Sequence, residues 1–186
     1  MDWLIFWLGI GSYVPLIIGV IKQRHDCSQT FTTWVLYFLL DLITMLSCTK
    51  IDGSYVILLG FAVGSFIMAS ILFYQRRFGW TWLETTVVFL VLLCIGAWYK
   101  SGPYWAAIFG IISESIVGIH LMIKTYKNPT FKYNLVGYIG FTIVSIVAFL
   151  NAKDFNIQQI GYPIAEAVIS FLTLIPLANK WLNEDW

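Results

Sequence analysis

The sequence predicts an all-α polytopic membrane protein with seven transmembrane helices, and three observations carry that reading. Of 186 residues, 59% are hydrophobic, 18% aromatic and only 11% charged, and the mean hydropathy of +0.79 lies well outside the range of a soluble domain. Apolar runs recur along the whole chain, most close to the ~20 residues that cross a hydrocarbon core. The polar breaks between them are short, so the chemistry is expected inside or at the bilayer.

In chain order the predicted spans are Trp3–Ile21, Phe31–Cys48, Tyr55–Tyr74, Trp80–Trp98, Tyr104–Ile123, Tyr133–Leu150 and Ile160–Leu177. The first opens MDWLIFWLG, with an acid where a secretory leader carries base, and is expected to be a retained helix. Lys22, Arg24, Arg76, Arg77, Lys124, Lys127, Lys132 and Lys180 fall on one side and Lys50, Lys100 and Lys153 on the other. Basic loops stay in the cytoplasm, which puts the N-terminus outside and the C-terminus inside. Trp3, Trp80, Trp98, Tyr99, Tyr104 and Trp105 at span ends read as interfacial anchors. A plasma (inner) membrane is the expected address.

The end of span 1 and start of span 2, GVIK-QRHDCSQ-TFTTWVLYF, parallel the end of span 5 and start of span 6, LMIK-TYKNP-TFKYNLVGYIGF. In each, a loop opened by Lys22 or Lys124 leads to Thr30-Phe31 or Thr130-Phe131, with Trp34 or Asn134 four positions after the threonine. Span 4 is the most purely apolar. The expected layout is therefore 3+1+3: two parallel three-helix bundles, 1–74 and 100–186, joined by a linker helix within 75–99.

Polar residues inside the spans follow helical spacing. Span 2 aligns Trp34, Tyr37, Asp41, Thr44 and Cys48; span 5 aligns Ala107, Gly110, Glu114 and Gly118; span 7 aligns Pro163, Glu166, Ser170 and Thr173. Span 6 adds Asn134, Tyr138 and Ser145, and span 1 adds Ser12, Pro15 and Gly19. Lipid cannot satisfy these groups, so the stripes are expected to face one another. Asp41, Glu114 and Glu166 meet no Lys or Arg in any span interior, while Glu84 lies nearer the cytoplasmic end of span 4. A carboxyl so placed either takes up a proton or receives a cation from solution, and either makes it a candidate coupling group. A packing role, as a hydrogen bond to a neighbouring helix, is the competing reading. His120 falls off the Glu114 stripe and reads as an interfacial histidine. Pro15 and Gly118 are candidate hinges, whereas Gly60 and Gly64 suit close helix packing.

Seven spans as 3+1+3, an external N-terminus, a proline in span 1 ahead of a short basic loop and a midspan acid resemble the superfamily of PQ-loop, SWEET and SemiSWEET carriers. The family's Pro-Gln pair appears here as Pro15-Leu16 in the first bundle, and the second has Ile116-Val117-Gly118 at the corresponding place. The resemblance implies alternating access, with Trp34 and Asn134 matching pocket residues in type and Asp41 or Glu114 serving proton coupling.

The expected function is a carrier of a small neutral or cationic organic solute, with Trp34, Tyr37, Asn134, Tyr138 and Ser170 as solute contacts and Asp41, Glu114 and Glu166 as proton or cation groups. The alternative is a seven-helix receptor, sorting or accessory protein with structural acids; a receptor for a carboxylate would want basic groups that the span interiors lack. A retinal pigment would need a lysine inside span 7, and none precedes Lys180. Neither paired histidines nor a nucleophile motif suggests an enzyme. Cys27, Cys48 and Cys94 have no metal or redox spacing, so no cofactor and no metal is expected. The near-zero net charge of +1 suggests no nucleic-acid partner.

Overall fold

The computed structural model describes residues 1–22, 30–127 and 132–183. Cys27, Arg24 and the Thr130-Phe131 pair lie outside the described residues, as do the side chains of His120, Lys124, Lys127 and Lys132. Among the described residues seven α-helices follow one another: α1 (Asp2–Lys22), α2 (Phe31–Thr49), α3 (Tyr55–Tyr74), α4 (Trp82–Ser101), α5 (Pro103–Lys127), α6 (Lys132–Leu150) and α7 (Ile157–Asn183). Six are long and apolar enough to cross a membrane; the described apolar stretch of α5 runs from Pro103 to Ile119.

Local chemistry sets the helix ends. Thr30 caps α2, its hydroxyl accepting from Thr33 N at 3.3 Å. Thr81 opens α4 in a reciprocal capping box with Glu84, so this helix begins at Trp82 and not at Trp80, where apolarity alone placed it. Gly102, at φ 85°, ends α4, and Pro103 starts α5 at once, its missing N–H harmless in a first turn. The Asn156 side chain accepts from Gln159 N at 3.0 Å. That cap starts α7 at Ile157, a turn ahead of the predicted Ile160, because the polar Gln158-Gln159 pair is helical although not apolar.

Large apolar side chains cover the outside: Leu46, Phe66, Phe89, Ile116, Ile143 and Val168 are all exposed. On a soluble protein so continuous an apolar surface would be an interaction site; here it is the face lipid covers. Inside, α1 packs on α3 and α6, α2 on α3, α4 and α5, and α7 on α5 and α6. With lipid as apolar as the core, close backbone approach takes over from hydrophobic driving force. Gly60 of α3 lies on α1, where an added Cβ would come within 2.9 Å of Phe6 O, and Gly64 is covered by the Tyr13 ring. On the opposite flank of α1, Gly140 faces Ser12, Gly137 faces Leu16 and Gly19 faces Tyr133 of α6. The α2–α3 turn and the start of α7 are tied by Ser54 N donating to Gln158 O at 3.1 Å and Gln159 Nε2 donating to Asp52 O at 3.2 Å.

Gly60→Val should lower stability by about 1–3 kcal/mol through overpacking against α1. Gly11→Ala, where an added Cβ meets nothing within 4 Å, should be neutral or stabilising by up to ~1 kcal/mol. Thermal unfolding in detergent micelles checks both; equal effects would contradict the glycine-packed interface.

Candidate functional site

Asp41 joins side chains from five helices. It sits in the middle of α2, 3% exposed, on the buried face that also carries Trp34, Thr44 and Cys48. Ser65 Oγ of α3 donates to its Oδ2 at 3.1 Å, and the Tyr13 hydroxyl of α1 lies 3.0 Å from Ser65 Oγ. Tyr162 OH of α7 reaches Oδ1 at 3.4 Å. The Glu114 carboxyl of α5 is in hydrogen-bonding contact with it.

Glu114, 9% exposed, differs from Asp41 in its neighbours: Oε1 is buried and no described N–H or O–H donor reaches it. It is brought against α2 by Gly110, four residues earlier on the same face, where an added Cβ would run into the Thr44 side chain. Glu166 of α7 is half-buried and accepts from Ser170 Oγ at 2.7 Å. Its charge is felt at both Asp41 and Glu114, so the three acids form one electrostatic group. Among the described residues no set of three His, Cys, Asp or Glu is arranged to hold a metal ion.

Aromatic rings wall the group. Tyr13 meets Phe141 edge-on with centroids 4.9 Å apart and Trp34 at 5.7 Å; Trp34 meets Tyr37 at 5.6 Å; Tyr138 meets Phe141 at 5.8 Å. Phe61 and Tyr162 close the α3–α7 side at 6.1 Å. The Tyr37 hydroxyl, near all three acids, is buried without a described hydrogen-bond partner, as is Ser145 Oγ of α6. The site thus combines acceptors, a spare donor and flat apolar faces.

The sequence stripes largely arrive here. Tyr37, Asp41, Glu114, Tyr138, Glu166 and Ser170 come together, and Trp34 joins them through Tyr37 and Tyr13. Asn134 stands one turn before Tyr138 on α6, half-buried. Pro15 lies within α1, which remains a helix from Asp2 to Lys22. Gly118 is packed on α7: an added Cβ would lie 2.7 Å from Ile169 Cγ2, so close approach is its visible role. Glu84, 2% exposed, stands apart from the three acids. Its carboxylate accepts from Thr81 N at 2.6 Å, from the Thr81 hydroxyl, and from Thr33 Oγ1 of α2 at 2.5 Å, which caps α4 and staples it to α2.

Tyr13, Ser65 and Tyr162, the hydroxyls around Asp41, were not anticipated. Tyr162 lies one helical turn before Glu166 on the same stripe, and Ser65 is one of two serines in the apolar run of α3, so spacing carried a signal for both. Tyr13 has no such signal, because it reaches Asp41 only through Ser65.

In comparisons with known proteins, no family model, no curated protein and no solved structure matches the chain.

Glu84→Ala removes the reciprocal cap and the Thr33 contact, and should destabilise the fold by about 1–2 kcal/mol. Thermal unfolding of that variant beside Glu84→Gln, which keeps one acceptor oxygen, checks the assignment: the glutamine variant should recover part of the loss.

Proposed function

We propose that the protein is a membrane carrier for a small neutral or cationic organic solute, working by alternating access of two three-helix bundles with proton coupling through the buried acids. The observation that carries this reading is the convergence of Asp41, Glu114 and Glu166 from three helices, inside an aromatic wall and with no described basic side chain among them. Such groups are expensive in a bilayer, ~2.5–3.5 kcal/mol for a charged one at a helix centre, and mark solute or proton paths. Aromatic faces and carboxylates together suit an amine-bearing solute, and disfavour phosphates and other anions.

The bundle layout is supported by the helix contacts. Replacing α1, α2 and α3 by α5, α6 and α7 turns each within-bundle contact into another that is present: α1–α3 into α5–α7, and α2–α3 into α6–α7. The same exchange turns α1–α6 into α5–α2, the two largest contacts between the bundles, while α4 lies beside α2 and α5. Placing Lys22 on Lys124 carries Gly9 onto Ile111, and both positions pack on a glycine of the third helix, Gly60 and Gly161. Two like bundles about a midplane site are the architecture of a rocking carrier. An external N-terminus follows from the basic loops, which makes the hydrogen bonds from Gln158-Gln159 to the α2–α3 turn an outer latch.

Uptake of a panel of neutral and cationic metabolites into proteoliposomes, with and without a pH gradient, tests the function. Asp41→Asn and Glu166→Gln should each cut flux by about tenfold or more, the loss expected when one charged hydrogen-bond partner worth ~1.5–3 kcal/mol is removed. If folded variants carry every solute as the wild type does, the acids are structural and the accessory reading takes over.

A further inference from the structure

The two main helix contacts between the bundles, α1–α6 and α2–α5, are alike in place and different in chemistry. On the α1–α6 side the bundles meet at midspan through Ser12 on Gly140 and Leu16 on Gly137, with no described carboxyl at that depth; the charged groups of this side lie at its two ends, Lys22 over the Tyr133 ring and Asp2 accepting from Asn151 Nδ2. The corresponding place on the α2–α5 side holds Asp41 against Glu114: placing Lys22 on Lys124 carries Ser12 onto Glu114. At midspan one seam is packed on glycines, and the other is made of two acids.

A carboxylate only accepts hydrogen bonds, so two of them in contact repel; one proton converts the contact into a short, strong O–H···O bond. The neighbours decide which acid carries that proton. Asp41 already accepts from Ser65 and Tyr162, as an ionised carboxylate would. Glu114 has no described donor at its buried Oε1, as fits a group that must itself donate. We propose that Glu114, protonated, donates to Asp41 and so clasps α2 to α5, and that loss of this proton to solvent releases the α2–α5 seam while the glycine seam between α1 and α6 stays shut and acts as the pivot. Glu166, held by Ser170 and half-buried, is left as the group that meets the solute's cation. This division of labour rests on the carrier reading, although the clasp itself needs no solute.

The titratable groups that bear on the clasp are Tyr37 on α2 itself, Glu166 and Tyr162 on α7, Tyr13 on α1 and Cys94 on α4; α3 presents only the Ser65 hydroxyl. None of these described groups is a base, so none of them neutralises a second negative charge when Glu114 ionises. A solute cation arriving at Glu166 can, and that links solute binding to the state of the seam.

The test reads distances, not flux. In the full chain with Cys27, Cys48 and Cys94 replaced by serine, spin labels are placed at the exposed positions Leu46 and Ile112 to report α2–α5, and at Val14 and Ile139 to report α1–α6. Raising the pH should shift the α2–α5 distribution to longer distance and leave α1–α6 unchanged. With Glu114→Gln, whose amide N–H₂ still donates to Asp41 but cannot ionise, the α2–α5 distance should stay short at every pH. A pH-independent α2–α5 distance in the wild type overturns the clasp, as does equal movement at both seams or a Glu114→Gln variant that opens like the wild type. If the clasp behaves as expected while the proteoliposomes take up nothing, the carrier reading alone fails.

Discussion

A bilayer cannot hydrogen-bond a carboxyl group, and the rest of this molecule is arranged around three of them. Because lipid offers no partner, Asp41, Glu114 and Glu166 must turn inward, and the helices that carry them must meet. The glycines at 60, 64, 110 and 118 let backbones come close enough for that, and each would clash with a neighbouring helix if it bore a Cβ. The hydroxyls of Tyr13, Ser65 and Tyr162 then supply what water would have supplied. Satisfaction is uneven: Asp41 is surrounded by donors and Glu114 is not. On the proposed reading, that unevenness is what lets the site change state.

In the proposed layout of two three-helix bundles, the two halves of the chain share one plan with different side chains. On that proposal the shared plan lies in the pattern of helix contacts, and the difference lies at equivalent depths, where Ser12 stands for Glu114. A symmetric arrangement with acids at both seams would put four carboxyls near one midplane, with the repulsion to match. An arrangement with none would leave no charge-dependent step. Glu84 shows a contrasting fate for an acid in a span: three acceptor contacts at a helix start make it a cap, and its separation from the other three acids follows from that structural task.

Much of this was legible in the residues. Helix number, the inward stripes and the meeting of Asp41, Glu114 and Glu166 follow from hydropathy and helical spacing, since a polar residue in an apolar span has one direction to face. Helix starts were less legible where capping decides them: Trp80 reads as span by apolarity, and Thr81 with Glu84 moves the start to Trp82. Gln158 and Gln159 read as loop by polarity, yet the Asn156 cap makes them helical and turns Gln159 toward Asp52. Gly118 fitted a hinge in sequence, and only the neighbouring helix discloses Ile169 pressed against it. Tyr13 has no signal in the sequence because its role depends on which helices adjoin, and periodicity within one helix carries no such information.

The central claim is that the acid group holds a proton on Glu114 at neutral pH, inside the membrane and beside an ionised Asp41. Infrared difference spectroscopy of the reconstituted protein reads it directly, in the C=O stretching region that separates a protonated carboxyl from a carboxylate. The wild type at neutral pH should give a protonated-carboxyl band that disappears in Glu114→Gln and persists in Glu84→Gln. A wild-type spectrum without that band, or a band that Glu114→Gln leaves intact, would contradict the account.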